Sequence, residues 1–374
     1  VKLKASYGYS GNTNNSGNAY AIVQYNPSSL FSSIIPAPYA TVLSPANPSL
    51  KWEKVKIVNW GLEFSSKGQR VSGNLEFYKK WGLDLISSVN LDPTSGFTNY
   101  IGNNASIKGS GWDLSLSTRN LDGAFKWYTT FLLSANKDEV TSYAIPPPTT
   151  ADRYVAGNPV IIGKPLNKLY SYNWAGLDPA DGDAQLYIDG KAVKSIDYEK
   201  AMPNDLIYSG SSIPRLFGSM NNTFSWKRIA LSFNLSYRFS YYFRRSSINY
   251  IALLGGYTWG GHSDYALRWK KPGDEINTNV PSLPESPDNR DAVYKGANIL
   301  IEKGDHIRLQ DIRLEYQLER AEFRRLPVKS MSAFIYAQNV GIIWKANKHG
   351  IDPEFGDLTF PTPLAISFGL NINF

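Results

Sequence analysis

The 374-residue chain contains no cysteine. That excludes disulfides, thiolate metal sites and cysteine nucleophiles. It leaves the compartment open, because periplasmic and outer-membrane proteins also do without cysteine. No apolar run approaches the ~18 residues of a membrane-spanning helix. The longest candidate, "YIALLGGYTW", is broken by Gly255 and Gly256. No basic-then-apolar leader is present; the opening "VKLKASYGYSGN" already alternates and reads as starting in mid-strand. Charged residues make up 19%, below the usual ~25%. The three histidines, His262, His306 and His349, show no metal-ligand spacing. No nucleophile elbow, P-loop or dinucleotide fingerprint occurs, so nothing points to an enzyme. The formal charge of +7 comes from basic residues scattered among 32 acids. With no recognisable binding motif, that argues against nucleic acid as a partner.

What the chain does have is aromatic residues, 14% of the total, with 24 Tyr, 17 Phe and 10 Trp. Its 30 Gly and 22 Pro are spread as punctuation. This composition favours strands and turns. Ten segments alternate with period two, the mark of a strand with unlike faces. In "RIALSFNLSYRF", Ile229, Leu231, Phe233, Leu235, Tyr237 and Phe239 oppose Ala230, Ser232, Asn234, Ser236 and Arg238. In "HIRLQDIRLEYQL" the phase shifts, which predicts a β-bulge near Gln310 and Asp311. In "SMSAFIYAQNV" both faces are apolar and the pattern assigns neither. The C-terminal "AISFGLNINF" sets Phe368, Leu370, Ile372 and Phe374 against Ser367, Gly369, Asn371 and Asn373.

The connections alternate in length. Short turns follow the second, fourth, sixth and eighth segments. Long loops occupy residues 10–52, about 87–105, about 137–216, about 242–305 and about 341–363. Short on one side and long on the other marks an up-and-down outer-membrane barrel. Segments of about ten residues match the ~9–11 that a tilted strand needs to cross a bilayer. A soluble sandwich or propeller fits less well, because most of its connections would be ~4–6 residues. The fold class expected is therefore all-β, an antiparallel transmembrane barrel with long extracellular loops. Phe368, Leu370, Ile372 and Phe374 face lipid in this reading, and Ser367, Gly369, Asn371 and Asn373 a wet lumen.

Six stretches resemble the C-terminal half of SusC/RagA transporters, which are TonB-dependent outer-membrane importers. They are "LKASYGYSGN", "LKWEKVKIVNWGLEF", "IPRLFGSMNNTFSWKRIALSF", "DHIRLQDIRLEYQL", "FIYAQNVGIIWKANKHGIDPEFG" and "AISFGLNINF", in family order. The resemblance implies that residues 1–374 are the last ten strands of a 22-stranded barrel. The plug and the N-terminal strands would then lie outside this chain. It implies active import of a large nutrient, a glycan or an oligopeptide, with no chemistry done on it. It implies a SusD-like surface lipoprotein, the TonB–ExbB–ExbD system and the barrel-assembly machinery as partners. The terminal Phe368, Leu370, Ile372 and Phe374 resemble the signal that this machinery reads. A passive barrel without energy coupling is the alternative.

Within the long loops, Tyr170, Tyr172, Trp174, Tyr257, Trp259, Tyr265 and Trp269 are candidate substrate-binding residues, since aromatic platforms suit sugar rings. Interfacial girdles also use Trp and Tyr, so a structural role competes. Asp178, Asp181, Asp183 and Asp189 offer oxygens that could hold calcium, the one cofactor to consider. Their spacing is not that of an EF-hand, and Asx turns explain the Asp-Gly pairs more simply.

Overall fold

A computed structural model describes residues 1–12, 20–26, 39–97, 99–257, 261–319, 328–356 and 360–373. Ten strands form one antiparallel sheet. They are β1 (Lys2–Asn12), β2 (Glu53–Ser65), β3 (Val71–Asn90), β4 (Asn99–Asp122) and β5 (Phe125–Tyr143). β6 (Leu216–Trp226), β7 (Ile229–Phe239), β8 (His306–Glu319), β9 (Ser330–Lys345) and β10 (Ala365–Asn373) complete it. Every strand pairs with its neighbours in sequence, and among the described residues β1 and β10 are the open edges. No described helix is long and apolar enough to cross a membrane.

The register joins the apolar residues of adjacent strands into continuous rows. Leu3 pairs with Leu62, Leu62 with Leu75, Leu75 with Leu114, and Leu114 with Leu133. The next row runs Ala5, Trp60, Phe77, Trp112 and Ala135. These side chains stay open: Trp60 is 47% exposed, Phe77 49% and Phe368 78%. An apolar band of this extent is stable only against lipid. Leu370 and Ile372 stand on the same face as Phe368, while Phe374 lies outside the described residues. The opposite face is polar. Lys4 reaches Glu63 at 2.6 Å, and Ser134 donates to Asp113 at 2.5 Å.

The bulge falls where the phase shift predicts it. Asn234 and Leu235 of β7 face Asp311 and Leu309, leaving Gln310 as the extra residue. β9 takes its faces from its partners. Met331, Ala333, Ile335 and Ala337 pair with the outward Ile372, Leu370, Phe368 and Ile366. Phe334 therefore points inward, under the guanidinium of Arg313 at 4.0 Å.

One expectation needs correction. β3, β4 and β5 run for 20, 24 and 19 residues, well beyond the length of a crossing. The loop between β3 and β4 is thus residues 91–98 rather than a long one. Beyond the lipid both faces meet water. Alternation then fades although the backbone ladder continues.

Polar groups on the lipid face are partnered. Asn222 accepts from Trp127 Nε1 at 3.0 Å and from the Thr129 hydroxyl at 2.7 Å. Thr129 in turn accepts from Asn120 at 2.8 Å. An unpartnered amide here would cost several kcal/mol in hydrocarbon. On the same face Gly218 leaves a gap. The Tyr237 ring covers it, and its hydroxyl donates to the Leu132 carbonyl. A Cβ at Gly218 would collide with that carbonyl oxygen. Gly218→Ala should therefore cost about 1–3 kcal/mol by overpacking. Denaturant unfolding of the detergent-solubilised barrel measures it, and an unchanged midpoint would refute the role given to the gap.

Candidate functional site

The loops after β5 and β7 fold into a cap with a core of its own. The first carries α1 (Ala151–Gly157) and short strands at Lys168–Tyr172, Trp174–Leu177, Ala184–Ile188, Lys191–Lys194 and Leu206–Ser211. The second carries α2 (Tyr250–Leu254) and α3 (Arg290–Gly296). Tyr172, Leu186, Ile248, Tyr250, Val293, Tyr294 and Leu300 pack together, all 3% exposed or less. Polar ties lock the two loops. Arg244 donates to the Val155 carbonyl at 3.1 Å and to the Tyr170 carbonyl at 2.5 Å. Asn298 accepts from the Trp174 backbone at 3.1 Å. Within the second loop, Asp291 accepts from the Ile251 backbone at 2.7 Å, and burial raises its carboxyl above the ordinary range. Burial also lowers the affinity of Arg244 for its proton.

The candidate aromatics divide by position. Tyr172 and Trp269 are interior, at 3% and 8% exposure. That is a correction to their reading as substrate platforms, because their ring faces are covered by the chain itself. The close approach depends on glycine. A Cβ at Gly296 would stand 2.6 Å from the Tyr172 ring. One at Gly182, where φ is +69°, would collide with Trp269. Burial pushes the Tyr172 hydroxyl well up from its usual range. Tyr170, Trp174 and Tyr265 are half-buried. Tyr170 packs against Tyr154 and Tyr208, with ring centres 5.3 and 5.4 Å away. Trp174 lies 5.9 Å from Tyr294 and donates to Asn279. Arg268 stacks on Tyr265 at 4.0 Å. Tyr257 is 58% exposed, and Trp259 lies outside the described residues.

Cations of the chain sit on the aspartate cluster. Lys194 bridges Asp178 and Asp181 at 3.0 and 2.8 Å. Asp183 accepts from Ser195 at 2.7 Å and lies 3.8 Å from Arg290. Asx turns are present, with Asp178 capping Ala180 and Asp181 capping Asp183.

A second constellation escaped the sequence reading. The loop between β9 and β10 folds back onto β7 and β8. Its Asp352 meets Arg308 at 2.5 Å, and its Glu354 meets Arg308 at 2.9 Å and Arg238 at 3.0 Å. His306, fully buried, stands 3.5 Å from Glu354. The neighbouring imidazole, more than the two arginines, holds the Glu354 carboxyl below its ordinary range despite burial. The segment "GIDPEFG" carries both acids, but their partners are remote in sequence, so no local spacing points to the cluster.

The comparisons follow from this architecture. No family model matches the chain. A TonB-dependent receptor of Formosa agariphila is 26% identical over 422 residues, covering 100% of this chain and 40% of the relative. The TonB-dependent receptor SusC of Bacteroides thetaiotaomicron is 23% identical over 356 residues, covering 88% of this chain and 32% of the relative. The solved RagAB peptide transporter shares the fold along the whole chain, with a TM-score of 0.77 at 24% identity. Along most or all of its length the chain is similar to TonB-dependent receptors, SusC among them. Its strands lie in the bacterial outer membrane, so the short turns are periplasmic and the cap is extracellular. The chain spans 40% of the length of the first relative it matches.

Two outcomes test this geometry. A lowered carboxyl contributes stability above its unfolded value and loses it as pH falls through the folded value. The Glu354 cluster should thus hold at neutral pH and open only below the ordinary value of 4.5. Hydrogen exchange of residues 351–356 against pH checks this, and Glu354→Gln should remove the dependence. Gly296→Val should push Tyr172 off α3 at a cost of about 1–3 kcal/mol. The loops should become protease-sensitive while the barrel stays folded.

Proposed function

We propose that this SusC-like chain forms wall and cap of an importer that takes a large nutrient across the outer membrane, driven through TonB. One observation carries the reading: a sheet with two open edges follows the fold of a solved transporter along its whole length while covering 40% of that chain. Each open edge strand in hydrocarbon would leave roughly ten backbone groups unpaired, at several kcal/mol each. Further strands must close the barrel, and a plug within it would couple to TonB–ExbB–ExbD. The protein performs no chemistry on its cargo.

A SusD-like lipoprotein resting on the extracellular cap is the partner that this reading requires. Barrel-assembly machinery would recognise the outward Phe368, Leu370 and Ile372, with Phe374 after them. The cargo is a glycan in the first reading. Substrate contact then falls first to the exposed Tyr257, with the half-buried Tyr170, Trp174 and Tyr265 behind it; Trp259, outside the described residues, stays a candidate from its sequence alone. A peptide cargo is the second reading, favoured by the likeness to the RagAB peptide transporter.

Growth tests both. On the true substrate as sole source, deletion of tonB should abolish growth that depends on the full-length protein. Continued growth would leave a passive barrel. Titration calorimetry of the purified full-length protein with oligosaccharides, then with oligopeptides, separates the cargo classes. Tyr257→Ala should weaken binding about 5- to 10-fold, corresponding to ~1 kcal/mol for one lost stacking face.

A further inference from the structure

The outer face of β2–β5 carries a feature that import does not use. Directly above the apolar row of Trp60, Phe77 and Trp112, the register sets Lys79, Ser110 and Lys137 in one row. The next row holds Lys56, Trp81, Lys108 and Glu139. A cleft of about 370 Å³ opens among Lys79, Trp81, Lys108, Ser110 and Lys137, with Asp138 and Glu139 also on its wall. A second cleft adjoins it, shares Lys79, Ser110 and Lys137, and continues down between Trp60, Phe77 and Trp112. The upper cleft sets three lysines against two acids, and the lower one is walled by aromatic rings.

The charges are unbalanced. Lys108 is paired with Glu139 at 3.1 Å, and Lys54 with Asp84 at 3.5 Å. Lys56 lies over the rings of Tyr7 and Trp81, at 5.6 and 5.0 Å. Lys79 and Lys137 are exposed and have no carboxylate partner among the described residues. On β6 and β7, the row continuing from Trp112 and Ala135 is apolar, with Leu216 and Phe239.

Height identifies what they meet. From Val71 at the periplasmic turn to Trp81, a ~3.3 Å rise and a ~40° tilt give roughly 25 Å along the membrane normal. That equals the ~25 Å apolar band of such barrels. Lys56 and Lys108 stand level with Trp81, where acyl chains end and head groups begin in the outer leaflet; Lys79 and Lys137, one row lower at roughly 20 Å, reach that level with their long side chains. We propose that this paired cleft binds a phosphorylated glycolipid of the outer leaflet, its phosphate between Lys79 and Lys137 and its acyl chains along Trp60, Phe77 and Trp112. The rings of Tyr7 and Trp81 fix Lys56 at the edge of the site as a third cation.

The full-length protein, purified in mild detergent, tests this by native mass spectrometry. The probes are an acylated diphosphoryl disaccharide and the same lipid without phosphates. Wild type should retain the phosphorylated probe about tenfold or more in preference, the scale of two interfacial lysines. The K79A/K137A double variant should lose the preference while its band still shifts on heating in gels, the sign of a folded barrel. Lys80→Ala, one residue along but facing the lumen, should leave it intact. Equal retention of both probes, an unaltered preference in K79A/K137A, or displacement of the bound lipid by equimolar inorganic phosphate would overturn the proposal.

Discussion

Hydrocarbon offers no hydrogen bond to a peptide group, and that single constraint orders this molecule. Each backbone N–H and C=O in the membrane must find a partner on an adjacent strand. Pairing strands edge to edge fixes the period-two alternation, so every residue commits to lipid or lumen. The rows from Leu3 to Leu133 and from Ala5 to Ala135 are the visible result. Exceptions are repaired locally. Asn222 stands among Met220, Phe224 and Trp127, yet both of the donors that reach it are satisfied. Where Gly218 leaves a hole, a tyrosine ring fills it.

Above the membrane the constraint relaxes and a different logic takes over. The cap is held as a soluble protein is held, by a small apolar core and by side chains that tie one loop to the other. Arg244 carries much of this, since it is half-buried and its terminal nitrogens donate to carbonyls of the other loop. The loop after β9 is held differently, by carboxylates set against arginines and a histidine on the wall. Removing one partner of such a buried group would strand the others, which makes it a rigid attachment rather than an adjustable one.

The membrane part was legible in the residues because lipid imposes a pattern and water does not. Ile229 to Phe239 could be assigned strand and face by inspection, and so could the bulge at Gln310. Strand length was misread at β3–β5, where residues such as Lys79 and Lys80 break the alternation while pairing persists. The cap was opaque for a related reason. Tyr172 and Trp269 look like surface platforms in the chain, and only glycines distant in sequence, Gly296 and Gly182, hint that something must press against those rings. Asp352 and Glu354 gave no signal, because charge complementarity across a fold leaves no spacing behind.

Gln310 does more than bend a strand. Below it, β8 turns Ile312, Leu314 and Tyr316 to lipid; above it, Ile307 and Leu309. The strand is thus read in two frames, and the single extra residue is a frameshift written in space. Without it, the upper half would present His306 and Arg308 to the acyl chains and bury its leucine in the lumen. The ionic anchor of the β9–β10 loop would then have nothing to hold. One residue of surplus length keeps two incompatible sentences, one addressed to oil and one to charge, legible on the same strand.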